Sequence, residues 1–129
     1  MKICIIGAGA IGGLLAARLC AAGEDVTVVA RGAQLDAIRT HGLRLTAPDE
    51  PDVLARPHVA AQPCDVTAQD LVVLGMKAHQ VAAVAPDVAG MLAPDGLVLT
   101  AQNGVPYWYF MKHGGEHDGR QLESVDPGG

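Results

Sequence analysis

The sequence has no run of consecutive lysines or arginines, and its acidic residues outnumber the basic ones. Nine Lys and Arg residues stand against fourteen Asp and Glu residues, which gives a formal net charge of -5 at pH 7. Binding to nucleic acid or to an anionic membrane surface depends on clustered positive charge. We therefore expect no nucleic-acid partner, although a few phosphates could still bind locally.

Long apolar stretches are also missing. No uninterrupted segment approaches the ~20 apolar residues of a membrane-spanning helix. The apolar N-terminus is broken by glycines and has only Lys2 as a positive flank, unlike a secretory signal. The sequence therefore predicts a folded domain with no membrane association.

Cysteine and histidine are too few and too scattered for a disulfide framework or a metal centre. Cys4, Cys20 and Cys64 are odd in number, widely spaced and set among apolar neighbours, which favours buried free thiols and a cytoplasmic location. His113 and His117 are four residues apart, but the stretch HGGEHDG is too rich in glycine for a helix and lacks the H-E-x-x-H order. We expect no metal site.

What the chain does have is a regular alternation of apolar strands and helices, within a length typical of one domain. Strands are predicted at 2–6, 25–30, 71–76 and 96–101, and helices at 10–22, 33–42 and 78–92, the last one interrupted or ended near Pro86. This alternation predicts an α/β fold of the Rossmann type: a doubly wound, mostly parallel sheet with helices on both faces.

Two other segments are less regular. Residues 48–58 carry three prolines among acidic residues and are predicted to form a loop, after a possible further strand at 43–47. Beyond Phe110 the chain is polar and rich in glycine, without apolar periodicity. We therefore predict a nucleotide-binding domain at 1–112, followed by a polar tail at 113–129.

The segment IIGAGAIGG contains the pattern G-x-G-x-x-G at Gly7, Gly9 and Gly12. The pattern is meaningful because it follows a predicted strand and opens a predicted helix. Glycine allows the tight turn and the close approach of a pyrophosphate, which the free amides of the helix N-terminus would bind. The alternative is a glycine-rich turn without a ligand. The predicted cofactor-binding residues here are Gly7, Ala8, Gly9, Ala10, Ile11 and Gly12.

The end of the second predicted strand, VVARGA, has no carboxylate. An Asp or Glu at this point would bind the ribose 2′-hydroxyl of NAD, whereas a cation would pair with the 2′-phosphate of NADP. Arg31 occupies this place, so the sequence favours NADP(H). A surface arginine with no ligand is the alternative.

Polar residues also follow the third and fourth predicted strands. Ligands of open α/β sheets lie outside the carboxyl ends of the strands, so Lys77 and Asn103 should face the same crevice as the glycine turn. Lysine could hold a carboxylate or a ribose hydroxyl, and an asparagine amide could contact nicotinamide or substrate. The alternatives are a solvated Lys77 and an Asn103 that only shapes the turn QNGV.

The motifs GAGAIGG, VVAR, GMKAHQ and QNGVPYWYF occur in order, each at a strand end, and together they resemble the N-terminal part of the ketopantoate reductases, or 2-dehydropantoate 2-reductases. The resemblance implies NADPH-dependent reduction of a 2-oxo acid, ketopantoate in pantothenate synthesis. It also implies that Gly7–Gly12 and Arg31 bind NADPH, that Lys77 lies near the ribose and substrate, and that Asn103 contacts nicotinamide and substrate.

The resemblance further implies a second, helical domain that carries a lysine acting as general acid. Family members run to roughly twice this length, as expected for two domains, so residues 113–129 could equally be a linker to that domain. We expect these 129 residues alone to bind NADP(H) but to lack efficient turnover. Three alternatives remain: a reductase of a different 2-oxo acid, since PYWYF is also typical of other relatives, a nucleotide-sensing module without chemistry, and a truncated product without function.

The four aromatic residues of the chain are consecutive, at Tyr107, Trp108, Tyr109 and Phe110. Such a patch usually packs on another domain or chain, although a tail folded over the core is an alternative. A homodimer through this aromatic end is therefore a further hypothesis.

Overall fold

A five-stranded parallel sheet organises the part of the chain that the computed structural model describes, residues 1–106 and 108–124. In chain order the elements are β1 (Lys2–Ile6), α1 (Ala10–Ala21), β2 (Asp25–Val29), α2 (Gly32–His41), β3 (Leu43–Ala47), β4 (Glu50–Ala55), β5 (His58–Ala60), β6 (Gln69–Leu74), α3 (Val81–Met91) and β7 (Leu92–Thr100). Short 3₁₀ turns at Pro63–Asp65 and Ala78–Gln80 precede β6 and α3.

The order of the strands across the sheet is β5-β2-β1-β6-β7. Every pairing in this sheet is parallel. The chain winds outward from β1 to β5 on one side and from β6 to β7 on the other, so the direction of winding reverses between β1 and β6. The predicted doubly wound, parallel sheet is therefore confirmed, and this reversal is the place where such folds bind their ligands.

The core lies on both faces of the sheet because side chains alternate along each strand. Ile3 and Ile5 of β1 point to the face covered by α1 and α2, where they pack with Val26, Val28 and Ala16. Cys4 and Ile6 point to the opposite face, which is covered by α3. Each fully buried isoleucine contributes roughly 1.5–3 kcal/mol. Because the strand KICII is apolar on both of its sides, both faces of the sheet need cover, and helices lie on both faces as predicted.

The prediction of a loop at 48–58 is wrong over most of its length. Residues Glu50–Ala55 form β4, which pairs antiparallel with β3 in a separate two-stranded sheet. Pro48 is tolerated because it lies in the turn between the two strands. Pro51 is tolerated because it lies in β4 at the point where the pairing with β3 shifts register, opposite the stretch from Leu45 to Ala47. Arg18 of α1 forms an ion pair with Glu50 and joins the hairpin to the main body.

The predicted interruption of the third helix is also wrong, since α3 continues through Pro86. Pro86 lies on the exposed side, whereas the buried stripe Val81, Val84, Val88 and Met91 runs uninterrupted past it. Packing of this stripe on the sheet outweighs the hydrogen bond that proline removes.

The three cysteines are free, but they are not all buried. Cys4 is fully buried in β1, and burial raises the pKa of its thiol to about 12. Cys20 is partly buried and burial raises its pKa as well. The expectation of burial is wrong for Cys64, which is exposed in the 3₁₀ turn before β6.

Turns, bends and irregular segments occupy the described residues that follow β7. The backbone N–H of Gly119 donates to the carbonyl of Phe110 at 2.9 Å, and the ring of His117 lies 5.4 Å from the ring of Phe110. Tyr107 of the aromatic end and residues 125–129 of the predicted tail lie outside the described residues, and the domain boundary at 112 stays a prediction. In the described part of the chain, no helix is long and apolar enough to span a bilayer.

Candidate functional site

Backbone hydrogen bonds hold the exits of neighbouring strands side by side. The N–H of Gly7 donates to the carbonyl of Val29 at 3.0 Å, and the N–H of Gly75 donates to the carbonyl of Ile6 at 2.9 Å. Ala101 bonds in the same way to Leu74 at 3.1 Å. The hydrogen-bond pattern between parallel strands thus continues past the ends of the strands. The segments that leave β1, β2, β6 and β7 therefore start together, at the carboxyl edge of the sheet.

A crevice of about 550 Å³ opens at this edge, where the winding of the sheet reverses. Three segments form its walls: the turn after β1, the junction of β2 with α2, and the segment from the end of β6 into α3. The lining residues are Ile6, Gly7, Ala8, Gly9, Val29, Ala30, Arg31, Gln34, Gly75, Met76, Lys77, His79, Gln80, Ala83 and Val84.

The three glycines of the turn differ in what a side chain at each position would meet. Gly7 has φ +95°, and a Cβ there would lie 3.0 Å from the backbone nitrogen of Met76. A Cβ at Gly12 would overlap the carbonyl oxygen of Gly7, so only glycine lets α1 pack against the turn. At Gly9 a Cβ would meet no atom of the described part of the chain within 4 Å, because this residue faces the open crevice.

Among the described residues, no anionic group caps the N-terminus of α1. Gly9 is the N-cap, it supplies no side-chain cap, and no acidic residue lies in the first turn. The free N–H groups and the helix dipole therefore leave partial positive charge beside the crevice. An open cradle of glycine backbone at such a helix end fits the pyrophosphate of a dinucleotide.

The N-terminus of α2 is a second helix end with partial positive charge at the same crevice. Arg31 is the N-cap residue of α2, which likewise has no side-chain cap and no acidic residue in its first turn. The Arg31 side chain is exposed and lines the crevice. The arginine and the helix N-terminus together suit a second phosphate group.

Lys77 lies on the opposite wall, at the start of a 3₁₀ turn that two hydrogen bonds close. Its backbone N–H donates to Oε1 of Gln80 at 3.2 Å, and the N–H of Gln80 donates to the carbonyl of Lys77 at 2.9 Å. This turn also brings His79 to the crevice.

Asn103 lies in an exposed bend after β7 and is not among the residues that line the crevice. Its neighbour Gln102 holds this segment in place: Nε2 of Gln102 donates to the carbonyl of Leu74 at 2.7 Å and to that of Met76 at 3.3 Å. The bend is therefore tied to the exit of β6, next to the segment that carries Lys77.

The crevice brings together part of the predicted site. Gly7, Ala8, Gly9, Arg31 and Lys77 line it, whereas Ala10, Ile11, Gly12 and Asn103 do not. Sequence reasoning missed the polar side chains that hold or line the site, namely Gln34, His79, Gln80 and Gln102. The one local signal was the position of Gln80, three residues after Lys77, since a polar side chain at this spacing can cap a turn.

A doubly wound parallel sheet with a glycine turn at its winding reversal and free helix N-termini around the crevice defines a dinucleotide-binding domain of the Rossmann type. The family model for ketopantoate reductase PanE/ApbA matches residues 3–110. The chain belongs to this family and corresponds to its N-terminal domain. The resemblance in the sequence motifs is confirmed.

Relatives and solved structures agree with this assignment. The 2-dehydropantoate 2-reductase of Mesorhizobium japonicum is 49% identical over 130 residues, covering 100% of this chain and 40% of the relative. That of Archaeoglobus fulgidus is 36% identical over 104 residues, covering 81% and 33%. The chain therefore spans about two fifths or less of the length of these relatives.

Two solved structures illustrate the likeness of the fold. A protein from Ralstonia solanacearum MolK2, assigned as a ketopantoate reductase, has a TM-score of 0.86 and 42% identity, covering 98% of this chain and 39% of its own. D-mandelate dehydrogenase, in a ternary structure with NADH and anilino(oxo)acetate, has a TM-score of 0.70 and 30% identity, covering 81% and 34%.

Proposed function

We propose that the chain is the NADP(H)-binding domain of a reductase of 2-oxo acids similar to 2-dehydropantoate 2-reductase. The observation that carries this proposal is the crevice itself, with two uncapped helix N-termini and Arg31 at the end of β2, where a carboxylate would favour NAD. Family membership supports a nicotinamide cofactor, and Arg31 supports the phosphorylated form.

Each part of the crevice has a role in this proposal. The turn from Gly7 to Gly12 binds the pyrophosphate through backbone amides, and Arg31 pairs with the 2′-phosphate. Lys77 holds a ribose hydroxyl or the substrate carboxylate. Asn103 lies outside the crevice lining, in the bend that Gln102 ties to the exit of β6, and the resemblance assigns it the contact with the nicotinamide and the substrate. When bound, the reduced nicotinamide supplies the hydride for the substrate carbonyl carbon.

A small 2-oxo acid is the substrate class that the relatives favour. Several relatives are named 2-dehydropantoate 2-reductase, whereas one structural neighbour was solved with anilino(oxo)acetate, which carries an aromatic group. Ketopantoate is therefore the first substrate to test, and a bulkier 2-oxo acid is the second candidate.

The test of cofactor choice is calorimetric titration of NADPH and NADH into wild type, Arg31→Ala and Arg39→Ala. Arg39 is the control because it also belongs to α2 but lies in its last turn. Loss of a charged hydrogen bond of about 1.5–3 kcal/mol should weaken NADPH binding by about tenfold or more in Arg31→Ala and leave NADH binding almost unchanged. Equal affinity of wild type for the two cofactors would contradict the proposal.

Three further statements are proposals of the same kind. These 129 residues alone should reduce ketopantoate negligibly, because the resemblance assigns the general acid to the helical domain; efficient turnover by the purified chain, followed as NADPH absorbance, would refute this. We also propose that the domain extends to about residue 112, and that the protein is cytoplasmic.

A further inference from the structure

One side chain joins the two phosphate-binding parts of the crevice. Gln34 lies in the first turn of α2, and its Nε2 donates a hydrogen bond to the carbonyl oxygen of Ala8 at 2.6 Å. The two residues are 26 positions apart in the sequence, and the contact is partly buried. Both residues line the crevice.

The bond acts on the glycine turn through a rigid peptide group. The carbonyl of Ala8 and the N–H of Gly9 belong to the same planar, trans peptide unit. Holding the carbonyl therefore also fixes the direction of the Gly9 N–H, which lies at the start of α1. No side chain of residues 1–106 or 108–124 caps this helix, and the glycine on either side of Ala8 gives the turn little stiffness of its own.

The same bond acts on Arg31. Gln34 follows Arg31 by three residues, which is about one helical turn, and the backbone bond from Leu35 N–H to the Arg31 carbonyl is long at 3.4 Å. The main chain holds the end of β2 to the turn, because the N–H of Gly7 donates to the carbonyl of Val29, two residues before Arg31. The Gln34 bond is a second link, the tether, made about one helical turn beyond Arg31. Arg31 thus lies between the two links.

We propose that Gln34 is a positioning residue that couples the pyrophosphate subsite at the glycine turn to the 2′-phosphate subsite at Arg31. The proposal rests on the NADP(H)-binding function proposed above. The two phosphate groups belong to one ligand, so both subsites gain full strength only when their spacing already matches it. Without the tether, only the backbone link at Val29 remains, and binding of the second group has to fix the first turn of α2 against the glycine turn.

This coupling has a signature that a general loss of stability lacks. When the tether is removed, the preference for NADPH over NADH should fall although Arg31 is still present. The preference is the ratio of the dissociation constant of NADH to that of NADPH. A purely structural role of Gln34 would weaken both cofactors by the same factor and leave this ratio unchanged.

The experiment is calorimetric titration of both cofactors into wild type, Gln34→Met, Arg31→Ala and the double variant. Methionine has a similar length and no donor, and Gln121→Met in the exposed C-terminal segment is the matched control. We expect the ratio to fall about fivefold or more in Gln34→Met, as for a typical coupling between sites. In the double variant the ratio should hardly fall below that of Arg31→Ala.

Gln34→Asn is a second variant, because it keeps an uncharged amide donor but is one methylene too short to reach the carbonyl of Ala8, so its ratio should fall as in Gln34→Met. Thermal melts of the variants without ligand identify any that fail to fold. An unchanged ratio in a folded Gln34→Met, or additive losses in the double variant, would overturn the coupling while leaving the role of Arg31 intact. If wild type itself shows no preference for NADPH, both proposals fail together.

Discussion

At the level of single residues, the adjacent glycines of α1 provide a sharp test of the packing around the turn. A Cβ at Gly12 would overlap the carbonyl oxygen of Gly7, whereas a Cβ at Gly13 would lie 3.5 Å from the carbonyl oxygen of Ala8, an ordinary contact. Gly12→Ala should therefore destabilise the fold by roughly 1–3 kcal/mol. Gly13→Ala should stabilise it by up to about 1 kcal/mol, because alanine favours the helix.

Urea denaturation of the two variants without ligand measures these effects, and each serves as the control for the other. The midpoint of Gly12→Ala should move to lower urea and that of Gly13→Ala to the same or higher urea than wild type. If the two substitutions have equal effects, the close approach of α1 to the turn is incorrect.

The location of a residue can be predicted from sequence where a motif fixes its position relative to a strand, whereas its role in binding stays a prediction. Gly7, Gly9, Arg31 and Lys77 could be placed because each follows a strand, and parallel strands end at a common edge. Gln34 could not be placed in this way. Its partner is a backbone carbonyl 26 residues away, and no local pattern indicates a bond of that kind.

At the level of elements, α3 contains a proline that the helix tolerates at a cost. Pro86 lies in the helix interior, where its missing N–H leaves the carbonyl of Ala82 without the usual helical donor. Pro86→Ala restores this donor on an exposed position. We expect a net gain in the free energy of unfolding of about 1–2 kcal/mol, after allowing for the greater freedom of the unfolded chain.

The control for this prediction is Pro94→Ala, since Pro94 is also exposed but lies outside any helix. Here the loss of proline should leave stability unchanged or lower it by up to about 1 kcal/mol. Opposite signs for the two variants, measured by urea denaturation, support an uninterrupted α3. A loss of stability in Pro86→Ala would contradict it.

Elements with a strong apolar pattern could be predicted, but the hairpin of β3 and β4 could not. Its strand β4 is mostly exposed, with only Val53 half-buried and Ala55 buried, so the apolar pattern of EPDVLA is too short to predict a strand. Its order comes instead from pairing with β3 and from contacts such as Arg44 with Asp52 at 2.6 Å, which exist only once the hairpin forms. Proline content alone therefore misled the prediction of a loop.

At the level of the whole molecule, apolar side chains are exposed along one side of the sheet. β7 pairs with β6 and is the last strand in the sheet order, and the fractional exposures of Leu97, Val98 and Leu99 are 68%, 42% and 49%. Beyond β7, Tyr109 of the aromatic end is 51% exposed and Met111 is 65% exposed. An apolar edge of this kind favours association with another surface.

We propose that the isolated chain forms homodimers through this edge and the aromatic end, with an affinity that makes dimerisation depend on concentration. Sedimentation velocity of the 13.3 kDa chain should show a sedimentation coefficient that rises between about 1 and 200 μM, where weak dimers of micromolar affinity assemble.

Leu97→Lys should keep the chain monomeric, because burying the new ammonium in the contact is costly. Leu54→Lys is the control, since Leu54 is 58% exposed but belongs to the β3–β4 hairpin. A wild type that stays monomeric, or equal effects of the two lysines, would contradict a dimer at this edge.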